Sequence, residues 1–248
     1  MSWLSIQRWR GVVLVGLAAV ATVVLAATGQ LVLYIHPRYV VFTVIMVVLA
    51  FLLVLASALL SKPDDEDAPA SPFSKALSVG AVALAALLAV AMVALPAATL
   101  SSATADQRDI NSTAIGASDT DLEDAAAVPT AEFAAFTVLD WASLLRQTTD
   151  LAFYRDKPVD VVGFITPDAS DPDVFYVSRF FVTCCAVDAQ PAGVPVYLPG
   201  WASQFEADDW VRVTGQFAAN PSSGSAEPLA IDPDDVLAVE QPSEPYLF

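Results

Sequence analysis

Cys184 and Cys185 stand side by side, and no other cysteine occurs in the 248 residues. Thiolates are soft donors that select zinc, copper(I), arsenic(III) and similar thiophiles. Asp188, three residues further on, adds a carboxylate oxygen, so Cys184, Cys185 and Asp188 form a candidate metal set with Zn or another thiophilic metal as its cofactor. A closed zinc site takes four ligands, and the one histidine, His36, is remote in sequence. Two other readings of the pair stay open. One is a disulfide between neighbours. Adjacent Cα atoms lie about 3.8 Å apart, below the roughly 4.4–6.8 Å such bonds usually span, so the bond would be strained and easily reduced, suiting a redox switch. The other is a pair of small buried side chains at a strand end. Successive strand residues point to opposite faces, so joint chelation requires a backbone turn, for which Ala186 to Pro191 is the candidate. Arg179, a few residues upstream, is expected to pair with Asp188 or to hold an anionic group. His36 lies in Tyr34-Ile35-His36-Pro37-Arg38-Tyr39 and reads as a polar turn between helices, with metal or partner contact as the alternative. No Ser-His-Asp set, Gly-rich phosphate loop or C-x-x-C pair is present, so catalytic residues are not expected and the chain does not read as an enzyme.

Composition says where these residues are carried. The chain is 56% hydrophobic and only 16% charged, against about 45–50% and about 25% in an ordinary soluble domain. The net charge of −17 is unevenly spread: five basic and four acidic residues up to residue 99, six and 24 after it. A single soluble globule and a pure membrane bundle are both excluded. Nucleic acid is excluded as a partner, because phosphate contacts need clustered Lys and Arg.

Three runs are long and uncharged enough to span a bilayer, which takes about 20 apolar residues. They cover about 11–35 and 39–61, forming a hairpin within 1–61, and 76–98. An acidic loop over 62–75 separates the second from the third. Arg8, Arg10, Lys62 and Lys75 against Arg38 alone predict a cytoplasmic N-terminus and loop, since orientation follows the Lys/Arg bias. The remainder is then extracytoplasmic, and the localisation is the cell membrane. Ala103-Thr104-Ala105 has the form of a cleavage site, but after two earlier spans the soluble half is expected to stay anchored.

Residues 99–129, rich in Ser, Thr, Ala and Asp, read as a flexible stalk. From 130 to 248 the pattern is that of a small folded domain. A helix is predicted over Val138 to Leu145. Strands follow over Pro158–Ile165, Val174–Cys185, Val194–Leu198, Trp210–Phe217 and Leu229–Val239, with Pro191-Ala192-Gly193 as a turn and a short helix over Trp201–Ala207. The fold class is therefore three transmembrane α-helices followed by a mainly-β, OB-fold-like extracytoplasmic domain.

The segment Arg179-Phe180-Phe181-Val182-Thr183-Cys184-Cys185-Ala186-Val187-Asp188-Ala189, the Tyr34–Arg38 turn and the ending Pro242-Ser243-Glu244-Pro245-Tyr246 occur together. This set resembles the YcgQ-type family of predicted permease subunits along nearly the whole chain. The resemblance implies N-terminal spans, an outer β domain and a separate multi-span permease as partner, one related to organoarsenical and metal efflux proteins. It implies a functional role for Arg179, Cys184, Cys185 and Asp188, and it carries over no catalytic residue. The expected function is a membrane-anchored accessory subunit whose outer domain binds or senses a thiophilic ligand. The alternative is a structural or assembly subunit that caps a permease with no ligand of its own.

Overall fold

The uncharged N-terminal runs are helical: α1 spans Trp3–Ala27, α2 Pro37–Leu60 and α3 Pro72–Ala94. The computed structural model describes residues 3–60, 72–95, 99–108, 110–111 and 120–248. Most of the expected acidic loop, through residue 71, and residues 96–98 of the expected third span lie outside the described residues. The chain divides into two units, 1–98 and 99–248.

In the first unit α1 packs against both α2 and α3. The first helix stops at Ala27 rather than continuing to 35. Gly29 takes a left-handed conformation, φ 75°, which glycine adopts without steric cost, and a single 3-10 turn over Gln30–Leu33 follows. The next helix begins where Pro37 occupies its first position, as suits a residue without an N–H. His36 Nδ1 accepts the Arg38 N–H at 3.1 Å. Among the described residues α2 is the one helix long and apolar enough to cross a membrane; the apolar stretches of α1 and α3 are the shorter Gly11–Ala27 and Val79–Ala91. Val40, Val44, Val47, Phe51, Val54 and Ala58 form a half-buried to buried stripe along α2, and outside it apolar side chains project, with Val41, Leu53 and Leu60 at 68%, 70% and 82% exposure. An apolar surface of that extent marks contact with lipid or another protein.

The second unit is a six-stranded mixed sheet: β1 Val159–Pro167, β2 Val174–Phe181, β3 Gln190–Tyr197, β4 Trp210–Ala219, β5 Leu229–Ala238 and β6 Tyr246–Leu247. β1 pairs antiparallel with β2 as well as with β4. The first five strands therefore close into a ring in the order β1-β2-β3-β5-β4, with β3 and β5 parallel. β6 adds to β2 in parallel, through Phe180 and Tyr246. Alternating Val, Ile and Phe fill the interior, where Val161, Ile165, Phe175, Val177, Val194 and Val213 are buried. Helix α6, Val138–Gln147, packs on β2 and β3. It starts at a capping box in which the Thr137 hydroxyl accepts the Asp140 N–H and the Asp140 carboxylate accepts the Thr137 N–H. That start aims Trp141 into the core, 5.1 Å from the Phe217 ring.

Several expected elements shift. β2 ends at Phe181 rather than Cys185, and the expected Pro191-Ala192-Gly193 turn belongs to β3, with Gly193 paired to Ser178. The expected helix at Trp201–Ala207 is a 3-10 turn over Trp201–Ser203, so the helix that packs on the sheet precedes β1. The described parts of 99–129 are fastened to the sheet and do not form a free spacer. α4, Ser102–Ala105, and α5, Leu122–Ala126, bury Ala105 and Ala125. Asn111 brackets Gly193, its Nδ2 donating to the Gly193 carbonyl at 2.8 Å and its Oδ1 accepting the Gly193 N–H at 2.9 Å. Composition misled here because short polar side chains serve equally well as loop solvation and as hydrogen-bond partners for an open strand edge.

Ring closure depends on one glycine. Phe164 pairs with Trp210 on one side and Ser178 on the other, and Gly163 sits where β1 passes between these partners. A Cβ there would lie 2.5 Å from the Ser178 carbonyl oxygen and 2.8 Å from Val177 Cγ1. Gly163→Ala must push β1 from β2, and overpacking of this kind costs about 1–3 kcal/mol or more. The expected result is a lower urea midpoint for the full chain in detergent, followed by tryptophan fluorescence.

Candidate functional site

The eight residues 182–189 join β2 to β3 and carry the cysteine pair. The strand stops because Asp188 collects the backbone behind it. Its Oδ1 accepts the Thr183 N–H at 3.2 Å, and its Oδ2 accepts those of Cys184 at 2.9 Å and Cys185 at 3.4 Å. The Asp188 N–H in turn donates to the Cys185 carbonyl at 3.0 Å. Successive N–H groups turned toward one anion form a concave nest, and here the anion is the chain's own carboxylate. This turn removes the objection that neighbouring strand residues diverge. The two sulfurs and an Asp188 oxygen all lie within 4.8 Å of one another, the one such trio of His, Cys, Asp or Glu groups among the described residues.

Both cysteines are free thiols, Cys184 exposed and Cys185 partly so. The small-buried-pair reading therefore does not describe Cys184. Its thiol is pushed above the ordinary thiol range, first by its hydrogen bond with Cys185 and that neighbour's charge, then by desolvation and by the Asp188 carboxylate. A raised thiol is protonated and slow as a nucleophile near neutral pH, the reverse of an activated catalytic cysteine.

The loop is braced from outside as well. Arg108, upstream of the sheet, donates from its guanidinium to the Ala189 carbonyl and, at 3.3 Å, to the Val187 carbonyl. On the opposite flank the Val182 N–H donates to the Leu247 carbonyl at 2.9 Å. Arg179 turns to the C-terminal segment rather than to Asp188. Its Nε donates to the Pro245 carbonyl at 3.1 Å, its Nη2 to that of Glu244, and its guanidinium lies 5.8 Å from the Trp210 ring centre. It fastens the C-terminal segment beside β2. His36 belongs to the other unit, where it starts α2 and stacks edge-on to Tyr39 at 5.9 Å. The structure thus unites Cys184, Cys185 and Asp188 and gives Arg179 a supporting place. Sequence reasoning missed Arg108. The available signal was an isolated cation in an otherwise polar, acidic stretch.

Two outcomes are expected. In reduced protein, the pH midpoint for alkylation of Cys184 lies above that of free cysteine titrated in parallel, and Cys185→Ser lowers it, as read by mass spectrometry of timed reactions. Arg108→Ala frees the Val187 and Ala189 carbonyls, so amide hydrogen exchange rises across 182–189 and remains unchanged in β4.

A family model described as the DUF1980 N-terminal domain matches residues 9–111, and one described as the DUF1980 C-terminal domain matches residues 134–248. No curated protein and no solved structure matches the chain.

Proposed function

The chain belongs to the DUF1980 family, that of the YcgQ-like proteins, and from that premise we propose that it is a membrane-anchored accessory subunit of a multi-span permease. Its outer domain binds a thiophilic ligand through Cys184 and Cys185. The observation that carries this reading is the convergence of two free thiols and a carboxylate on a partly exposed, externally braced loop.

The rest of the reading follows from charge and topology. All three N-terminal helices span the membrane, α1 and α3 leaning on their neighbours where their apolar lengths are short. The four-to-one Lys/Arg bias puts the N-terminus inside and the β unit outside. The closed order β1-β2-β3-β5-β4 with its parallel β3–β5 pair favours an OB-like barrel. An acidic outer surface draws cations toward the thiol loop, and it weighs against nucleic acid as the barrel's ligand.

Full-length protein purified in mild detergent tests both parts. A multi-span membrane protein is expected to co-purify with it. The reduced protein is expected to bind about one equivalent of at least one of Zn(II), Cu(I) and As(III) at micromolar concentration, and the Cys184→Ser, Cys185→Ser double variant to bind none. Absence of binding by the reduced wild type would sink the ligand role. A permease complex that forms and transports normally with the double variant would favour the purely structural role.

A further inference from the structure

We propose that Cys184, Cys185 and Asp188 form a three-ligand site for a divalent thiophilic cation of the Zn(II) class, with the fourth coordination position left open for exchange. This rests on the ligand reading above and gives that ligand a class and a mode of binding.

Three observations converge on it. The first is reach. Zinc bonds run about 2.3 Å to sulfur and about 2.0–2.2 Å to carboxylate oxygen. Donors lying within 4.8 Å of one another close on such an ion with small side-chain rotations, each thiol releasing its proton to solvent. The second is the state of Asp188. Its Oδ2 accepts two backbone N–H groups and its Oδ1 only one. A carboxylate offers about four lone-pair sites, so Oδ1 keeps one directed donor. Ligating carboxylates are themselves commonly hydrogen-bonded, which fixes their orientation. The third is the count. Among the described residues no fourth His, Cys, Asp or Glu joins the trio, and Cys184 is exposed. Structural zinc sites are closed by four protein ligands, whereas working sites keep one position free.

The donor set narrows the ion. Calcium and magnesium take oxygen ligands, so two thiolates exclude them. A monovalent soft ion such as Cu(I) is satisfied by the two sulfurs and leaves Asp188 aside, whereas a divalent ion uses all three. The bracing makes exchange feasible. Arg108 and the Leu247 carbonyl hold the loop through its backbone, without any part in the trio. The loop therefore keeps its form when the ion leaves, and an incoming donor from a partner can occupy the open position before departure.

The test uses reduced full-length protein in detergent, with Zn(II) as the ion and Cu(I) as the two-sulfur control. One Zn(II) per chain is expected, with X-ray absorption showing two sulfur and two lighter scatterers. Asp188→Asn, which keeps an oxygen to accept loop N–H groups, should weaken Zn(II) at least tenfold and leave Cu(I) binding unchanged. A chromophoric chelator in excess should strip Zn(II) within seconds, with no change in tryptophan fluorescence. Four sulfur scatterers, equal Zn(II) affinity in Asp188→Asn, loss of Cu(I) binding in that variant, or release that requires unfolding would each overturn the proposal. If Cu(I) or As(III) binds and Zn(II) does not, this inference fails and the thiophile reading stands. If none of the three binds, both fail.

Discussion

The Asp188 carboxylate, gathering three backbone N–H groups at the end of β2, is the interaction on which the candidate site depends. A β-branched and aromatic run such as Val174–Phe181 favours extended structure, and nothing in its side chains would stop it before Cys185. What stops it is an acceptor placed three to five residues ahead, which satisfies donors that would otherwise continue the ladder. Once those amides turn toward a single carboxylate, the side chains of Cys184 and Cys185 no longer alternate across a sheet. Their proximity is thus a consequence of Asp188, and so is the mutual hydrogen bond that pushes the Cys184 thiol above the ordinary thiol range. Remove the acceptor and the cheapest alternative is strand continued through Cys185, with the sulfurs on opposite faces.

The same logic explains where much of the negative charge goes. A surface excess of carboxylates suggests a field, yet many of these groups have local work. Asp140 closes the capping box of α6, and Asp150 accepts the Ala152 N–H at 2.9 Å at the start of α7, Leu151–Tyr154. Asp171, held below the usual carboxylate range chiefly by the Ser222 hydroxyl, ties the β1–β2 turn to the β4–β5 loop. Glu227 accepts from the Tyr176 hydroxyl at 3.2 Å and is pushed upward mainly by burial. These acids serve first as acceptors for backbone and hydroxyl donors. Their summed charge is a second property of the same surface, one that bears on cation concentration and solubility.

Much of the framework was legible because periodicity and burial agree. Alternation located four of the strands to within a few residues, and apolar residues at helical spacing located α6. The errors fall where tertiary contacts override local pattern. Pro191-Ala192-Gly193 has turn chemistry, yet it lies in β3 because Gly193 pairs with Ser178 and Ile110 packs against it, Cγ2 lying 2.9 Å from where a Cβ would stand. Arg179 was visible as a motif residue, but its partners, the carbonyls of the C-terminal segment, were not. A guanidinium that binds backbone oxygens leaves no signature at the sequence positions that supply them. The cysteine pair and Asp188 were found from residue type alone. Their convergence was legible only as a condition, a turn near Ala186–Pro191, because the bonds from the Thr183, Cys184 and Cys185 N–H groups to Asp188 that make the turn leave no local pattern.

Residues 99–111 deserve a different description from either half. By family match they belong to the N-terminal domain, and by packing they belong to the β unit. The Ser102 N–H donates to the Asp208 carboxylate at 2.5 Å, the Leu100 N–H to the Tyr246 hydroxyl at 3.2 Å, and Arg108 to the loop beyond the cysteines. The chain leaving α3 is thereby attached to the sheet at several points before it reaches the first strand. A strap of this kind is stiffer than a polar spacer, because each attachment removes backbone freedom worth about 1–2 kcal/mol per residue. It ends on the two carbonyls that close the thiol loop. Arg108 and those carbonyls are held together within the β unit. The segment before the first strand and the loop that carries the thiols are thus parts of one braced element of the β unit.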